Sequence, residues 1–327
     1  MKPGIFVSRE IFGEVIGFLE QHFEVASNQD DILYEGPLLA EKLAGKDGAL
    51  ILASDRIDAA IVAACPQLKA VCNIGVGYNN IDVAACTRAG ILVTNTPEVL
   101  NDTTADMAFA LVLAAGRQIA RGDRHVRQGQ WKRWRFMEWL GPDVHHATLG
   151  ILGMGRIGQA VARRAAGFDM QILYHNRKRL PAEIERACAA RHVSKDELLR
   201  EADYLVLMLP YSTENHHCIG AAELAAMKPT AHLINIARGG IVDDAALVDC
   251  LQKGGIAGAA VDVFENEPAL HPGFLALDNV VLTPHIGGAS RDTRLKMARL
   301  AAENLVAALG GKTPPNLLNP DALSRKA

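Results

Sequence analysis

Three charged residues stand just past short apolar runs in the second half of the chain. Arg238 ends "HLINIARGG", Glu267 lies in "DVFENEP", and His285 closes "VVLTPHIGG". An imidazole titrates near working pH and can give or take a proton. A carboxylate beside it favours the charged ring and fixes its orientation. A guanidinium stays charged and holds a carboxylate with a planar fork. Brought together in one crevice, the three could hold a small anion and move a proton beside it. Taken singly, each has a plainer role as structural histidine, solvated turn acid or surface cation. Glu265, two residues before Glu267, is a rival for the acid's place, and chemistry alone does not separate them.

Elements must bring these side chains to one place. Short apolar runs alternate with helical segments: "GIFVS", "FEVAS", "GALILA", "LKAVCNIG" and "GILVTN" come first. "TLGILGMG", "QILYHN", "YLVLMLP", "HLINIARGG", "IAGAAVDVF" and "VVLTPHIGG" follow. Such alternation implies parallel sheets joined by crossover helices, an α/β class. The second group opens with a glycine fingerprint that belongs to the first strand of a dinucleotide-binding sheet. The expected organisation is two doubly wound parallel-sheet domains, a Rossmann coenzyme domain over 101–287 and a flavodoxin-like substrate domain over 1–100 plus 288–327, with a cleft between them. The stretch "SRDTRLKMARLAAENLVAALGG" has an apolar stripe at Leu295, Ala298, Leu305 and Leu309 and a glycine stop, so it reads as an amphipathic helix returning to the first domain. The proline-rich tail "KTPPNLLNP" is expected on the surface.

In that fingerprint, Gly153, Met154, Gly155, Arg156, Ile157 and Gly158 follow a strand and open a helix, the context that gives the pattern meaning. Gly153 permits the tight turn, Gly155 lets a pyrophosphate approach backbone N–H groups, and Gly158 lets helix and strand pack closely. At the end of the next strand an acid would bond the ribose hydroxyl of NAD. Here Asn176, Arg177 and Lys178 stand in that place, and Asp169 comes too early. Arg177 can meet a 2′-phosphate with two hydrogen bonds while Lys178 adds a point charge. NADPH is therefore expected in preference to NADH.

"GMGRIG", "INIARGGIVDDAAL", "AGAAVDVFENEP" and "LTPHIGGAS", in this order and at these separations, resemble the D-isomer-specific 2-hydroxyacid dehydrogenases, and the resemblance extends to "NIGVGYNNID" in the first domain. "GPDVHHATLGILGMGRIG" and "ILYHNRKR" are most similar to glyoxylate/hydroxypyruvate reductases that also reduce 2-ketogluconate. The resemblance implies that His285 is the general acid/base, that Glu267 rather than Glu265 pairs with it, and that Arg238 holds the substrate carboxylate. It further implies backbone donors at Val76 and Gly77 for the same carboxylate. Cofactor contacts are implied at Thr104, Leu209, Pro210, Ile236, Ala237 and Gly287 as well as Arg238 and His285, with Asp262 bonding the nicotinamide carboxamide. A homodimer is implied, with the segment around "RGDRHVRQGQWKRWR" near its interface and Trp134 at the neighbouring subunit's substrate mouth. Two alternatives share the fold: an NAD-dependent phosphoglycerate-type dehydrogenase, and a dinucleotide-sensing binding protein without catalysis.

Composition narrows the partners. Apolar residues make up 49% of 327, enough for two cores, and a formal charge of −3 gives no broad attraction to nucleic acid or an anionic membrane. No apolar run approaches a membrane span, and the N-terminus lacks the apolar region of a secretory signal. Six scattered cysteines suggest neither a disulfide framework nor a zinc site, so a cytoplasmic protein is expected. No acid or cysteine stands at ligand spacing beside His145-His146 or His216-His217. Surface or packing roles are expected for both pairs, and no metal.

Overall fold

The computed structural model describes residues 1–325. The chain folds as two compact units, one formed by Met1–Leu100 with the chain from Ser290 onward, the other by Asn101–Ala289. The sequence boundary at 287/288 lies two residues from the structural one.

In the first unit, five short strands, β1 (Gly4–Val7), β2 (Glu24–Ser27), β3 (Gly48–Ile51), β4 (Ala70–Asn73) and β5 (Leu92–Thr94), form a sheet of order β2-β1-β3-β4-β5. Every pairing is parallel. The inner strands β3 and β4 are buried along their length, because helices cover both faces and each apolar run has no water side. The helix Arg291–Leu309 covers one face, burying Ala298, Ala301, Ala302 and Leu305 against Ile5, Leu50, Cys72 and Leu92.

The tail departs from the sequence expectation. Leu318 donates its N–H to the Val93 carbonyl at 2.8 Å. Buried Asn319 accepts from the Val93 N–H (2.8 Å) and donates to the Ile91 carbonyl (2.8 Å) and Thr87 Oγ1 (3.0 Å). The cause is the open edge of β5, whose backbone groups need partners that a proline-rich composition does not advertise.

The second unit holds β6 (Thr148–Leu152), β7 (Gln171–His175), β8 (Ala190–His192), β9 (Tyr204–Leu207), β10 (His232–Asn235), β11 (Gly258–Val261) and β12 (Val280–Leu282). They form an all-parallel sheet of order β12-β11-β10-β9-β6-β7-β8. Six of these strands match the apolar runs of the sequence. The seventh, β8, is three residues of Ala, Arg and His at the sheet edge, with no apolar pattern to find. Core clusters lie on both faces; the helix Asn101–Gly116 supplies Ala105, Ala108, Phe109, Leu111 and Val112 to one of them.

The helix Ile119–Arg127 buries none of its residues, and the segment after it exposes Trp131, Trp134, Phe136, Met137 and Leu140. No described helix is long and apolar enough to cross a membrane. All six cysteines are free, four of them buried.

Candidate active site

Because every strand of the second sheet runs the same way, whatever follows a strand lies at one edge. The glycine loop follows β6, Asn176 to Lys178 follow β7, and Leu209 and Pro210 lie beyond β9. Arg238 follows β10, Asp262 follows β11, and His285 lies beyond β12. Strand order reverses at β6, which pairs with β7 on one side and β9 on the other. Ligands of open α/β sheets bind at such a point.

The glycine loop has the shape a dinucleotide requires. Gly153 has φ +97°, a backbone that a side chain would strain. A Cβ on Gly158 would lie 2.9 Å from the Gly153 carbonyl oxygen and 3.2 Å from Ile151 Cγ2, so helix and strand need a glycine there. At Gly155 a Cβ would meet nothing within 4 Å; that side of the loop is open to an approaching group. Gly155 precedes the helix Arg156–Ala166, whose positive end suits a pyrophosphate. Met154 is buried, and its N–H donates to Asn176 Oδ1 at 2.7 Å, which ties the loop to the end of β7.

Past Asn176, Arg177 and Lys178 are exposed. Arg179 is engaged instead: its Nε and Nη2 each reach the Glu185 carboxylate at 2.8 Å. Of the four-residue "NRKR", the first and last residues are thus hydrogen-bonded to the protein, although Arg179 is exposed to solvent like the two residues before it. Thr104 is buried in the first turn of Asn101–Gly116, and Ile236 and Ala237 are buried between β10 and Arg238. Pro210 is exposed, and its carbonyl accepts from Asn215.

Glu267 and His285 meet. His285 Nδ1 lies 2.7 Å from Glu267 Oε2, while Glu267 Oε1 accepts the Phe264 N–H at 2.8 Å. A carboxylate at Nδ1 requires the ring proton there, leaving Nε2 as the end that can exchange a proton with a substrate. Burial pushes the Glu267 carboxyl up, but the bond and charge of His285, the Phe264 N–H and the Arg238 charge outweigh it and bring it below its ordinary range. Glu267 is therefore ionised at neutral pH. The Arg238 guanidinium is lowered by burial, with the Glu267 charge opposing. Its Nη1 donates to the Ala237 carbonyl at 2.8 Å, which fixes the base of the fork.

Asp262 is fully buried, and its carboxylate is occupied by the protein. Oδ1 accepts from Thr283 Oγ1 (2.6 Å) and the Ile286 N–H (2.9 Å), and Oδ2 from the Gly287 N–H (2.9 Å). Its visible work is to set the loop that carries His285, whose φ is +52°. The carboxamide contact implied by the resemblance thus falls on a side chain already committed to holding that loop.

Sequence reasoning missed the support beneath this turn. Glu265 does not reach His285; its carboxylate is hydrogen-bonded to His217 Nε2. The Glu265 N–H donates to Asp244 Oδ2 at 3.2 Å, and Asp243 lies 3.9 Å from the other nitrogen of His217. Two acids from distant parts of the chain thus stand beside His217. A Cβ on Gly239 would fall 1.7 Å from the Phe264 carbonyl oxygen, so the Arg238 loop and the Glu267 turn touch through backbone. No local pattern signals contacts between residues more than twenty positions apart. Trp134 is 73% exposed, with its ring beside Phe136, and Val76 and Gly77 lie beyond β4 in the first unit.

Residues 109–287 match the family described as "D-isomer specific 2-hydroxyacid dehydrogenase, NAD binding domain". The chain is 47% identical to a glyoxylate reductase of Thermococcus onnurineus, over 99% of this chain and 98% of that one. It is 48% identical to a glyoxylate reductase of Pyrococcus horikoshii, over 99% and 98%. Among solved structures it resembles, with a TM-score of 0.86 and 32% identity, an NADPH-dependent glyoxylate/hydroxypyruvate reductase from Sinorhizobium meliloti in complex with NADP and malonate; the match covers 98% of both chains.

Proposed function

The chain belongs to the D-isomer-specific 2-hydroxyacid dehydrogenases and is an NAD(P)-dependent oxidoreductase; from that premise we propose that it reduces glyoxylate, and with it hydroxypyruvate or 2-ketogluconate, to the D-2-hydroxy acid, using NADPH in preference to NADH. The observation that carries this reading is the His285–Glu267 pair at the carboxyl edge of the sheet, beside Arg238.

A bound nicotinamide supplies the hydride. His285 gives the proton from Nε2 to the ketone oxygen, and Glu267, ionised and held by the Phe264 N–H, steadies the imidazolium before the transfer. Arg238 holds the substrate carboxylate and polarises the ketone; the burial that lowers its pKa also strengthens its attraction for a bound anion. Backbone N–H groups at Val76 and Gly77 are assigned to the same carboxylate on the family pattern. Gly153 to Gly158 and Thr104 take the pyrophosphate, Leu209 and Pro210 the adenosine side, and Ile236, Ala237 and Gly287 the nicotinamide side. Asp262 acts by holding the His285 loop.

NADPH is favoured because Arg177 and Lys178 are two exposed cations matched to a phosphate that carries nearly two negative charges. The relative solved with NADP supports this choice by likeness. Six free cysteines suit a reducing cytoplasm. The exposed apolar surface from Trp131 to Leu140 suits a homodimer in which Trp134 is covered by the second subunit. Loss of NADPH absorbance on addition of glyoxylate tests the reading. Turnover with NADPH exceeding that with NADH is expected; a protein that binds cofactor but stays silent with the whole 2-keto acid panel overturns it.

A further inference from the structure

Three consecutive exposed cations, Arg177, Lys178 and Arg179, follow β7, and the third is ion-paired to Glu185. We propose that Glu185 is a positioning residue for cofactor choice: it ties down the turn so that Arg177 and Lys178 are held ready for the ribose 2′-phosphate. The inference rests on the NADPH reading above and deepens it.

Glu185 is a buried acid, 8% exposed, in the helix Ala182–Ala187. Its carboxylate accepts the Tyr174 hydroxyl at 2.7 Å and both arms of the Arg179 fork at 2.8 Å. Tyr174, wholly buried in β7, in turn accepts the Leu180 N–H at 2.8 Å. Tyr174 stands before the turn and Arg179 and Leu180 stand after it, so one carboxylate fixes both ends. Asn176 adds a third tether, with its side chain on Met154 of the glycine loop and its carbonyl 3.3 Å from His192 Nε2. What remains untethered is the pair of side chains at the tip.

Charge arithmetic makes the same point. A phosphate ester carries between one and two negative charges near neutral pH. The Arg179–Glu185 ion pair leaves Arg177 and Lys178 to match that charge, with Glu214 near enough to Arg177 to feel its charge. Three free cations in a row would repel one another and spread the turn. A carboxylate buried for packing alone would be costly compared with an apolar side chain of similar size. Here it selects which cations are offered and stiffens the segment that offers them, so less freedom is lost when the phosphate binds.

Calorimetric binding of adenosine 2′,5′-bisphosphate and of 5′-AMP to the full chain tests this without turnover. Wild type should bind the bisphosphate more tightly. Glu185→Gln should weaken the bisphosphate about 5- to 30-fold, a fraction of one to two charge-assisted contacts, and change 5′-AMP less than about twofold. Tyr174→Phe, which keeps the ring in the core, should show the same selective loss in smaller measure, and it carries the comparison if Glu185→Gln does not fold. In an Arg177→Ala/Lys178→Ala background, Glu185→Gln should have no further effect on the difference between the two ligands. The NADPH-to-NADH ratio of kcat/KM should fall in parallel. Wild type that binds the bisphosphate no better than 5′-AMP overturns the cofactor reading and this inference with it. A clear wild-type preference that Glu185→Gln leaves unchanged or increases, or a loss equal for both ligands, overturns the inference alone.

Discussion

Asp244 offers a test of how the turn that carries Glu265 and Glu267 is held. It lies in the first turn of Asp244–Gln252, is 4% exposed, and accepts the Glu265 N–H. Burial raises its carboxyl to about 6 from an ordinary 3.8; the Glu265 N–H bond and His271 oppose the rise, while the charges of Glu265 and Asp243 add to it. The native state therefore binds this proton more tightly than the unfolded chain does. Stability from that proton is complete below about 3.8 and is lost as pH rises through about 6. A rise of about two pH units at ~1.4 kcal/mol each corresponds to a penalty of about 3 kcal/mol above pH 7. Asp244→Asn keeps an oxygen for the Glu265 N–H and carries no charge. It should raise Tm at pH 8 by about 3 to 10 °C and give little gain at pH 4. Asp244→Ala, which removes the acceptor, should lower kcat while the Asn variant retains it. Thermal unfolding of wild type and both variants at the two pH values is the assay. A gain of equal size at pH 4 and pH 8 would refute the reasoning.

Other outcomes follow from single environments. His232 is buried against Tyr204, and burial lowers its imidazole to about 4, with the Thr230 backbone opposing. Native stability should therefore fall by about 3 kcal/mol as pH drops from 6.5 through 4, and His232→Phe should abolish that part of the loss in acid unfolding curves. Asn319→Ala strands the buried Val93 N–H and should cost the first unit about 2–4 kcal/mol, read as lower Tm and faster amide exchange at Val93. Arg177→Ser with Lys178→Ser should lower kcat/KM for NADPH by about 10- to 100-fold while NADH changes little; equal losses with both cofactors would contradict the assigned role.

The strands with continuous apolar runs, and the residues just past them, could be read from the sequence because a parallel sheet forces each strand's end to the same edge. The fingerprint and the basic turn were legible for the same reason. What could not be read depends on contacts distant in the chain. Nothing around Ala190–His192 marks a strand, and nothing around Asn319 marks a partner for β5. Glu265 and Glu267 are chemically alike in the sequence; the turn between them sends one to His217 and the other to His285. Glu185 likewise resembles any helical surface acid until Tyr174 and Arg179 close over it.

A single-turnover experiment tests the assignment of His285 most directly. NADPH-loaded wild type and His285→Ala are mixed rapidly with glyoxylate and followed by nicotinamide absorbance, with NADPH affinity measured separately. Loss of the proton donor should slow the hydride step by about 10²- to 10⁴-fold and leave NADPH affinity within a few-fold. A rate in His285→Ala within tenfold of wild type would show that the proton comes from elsewhere.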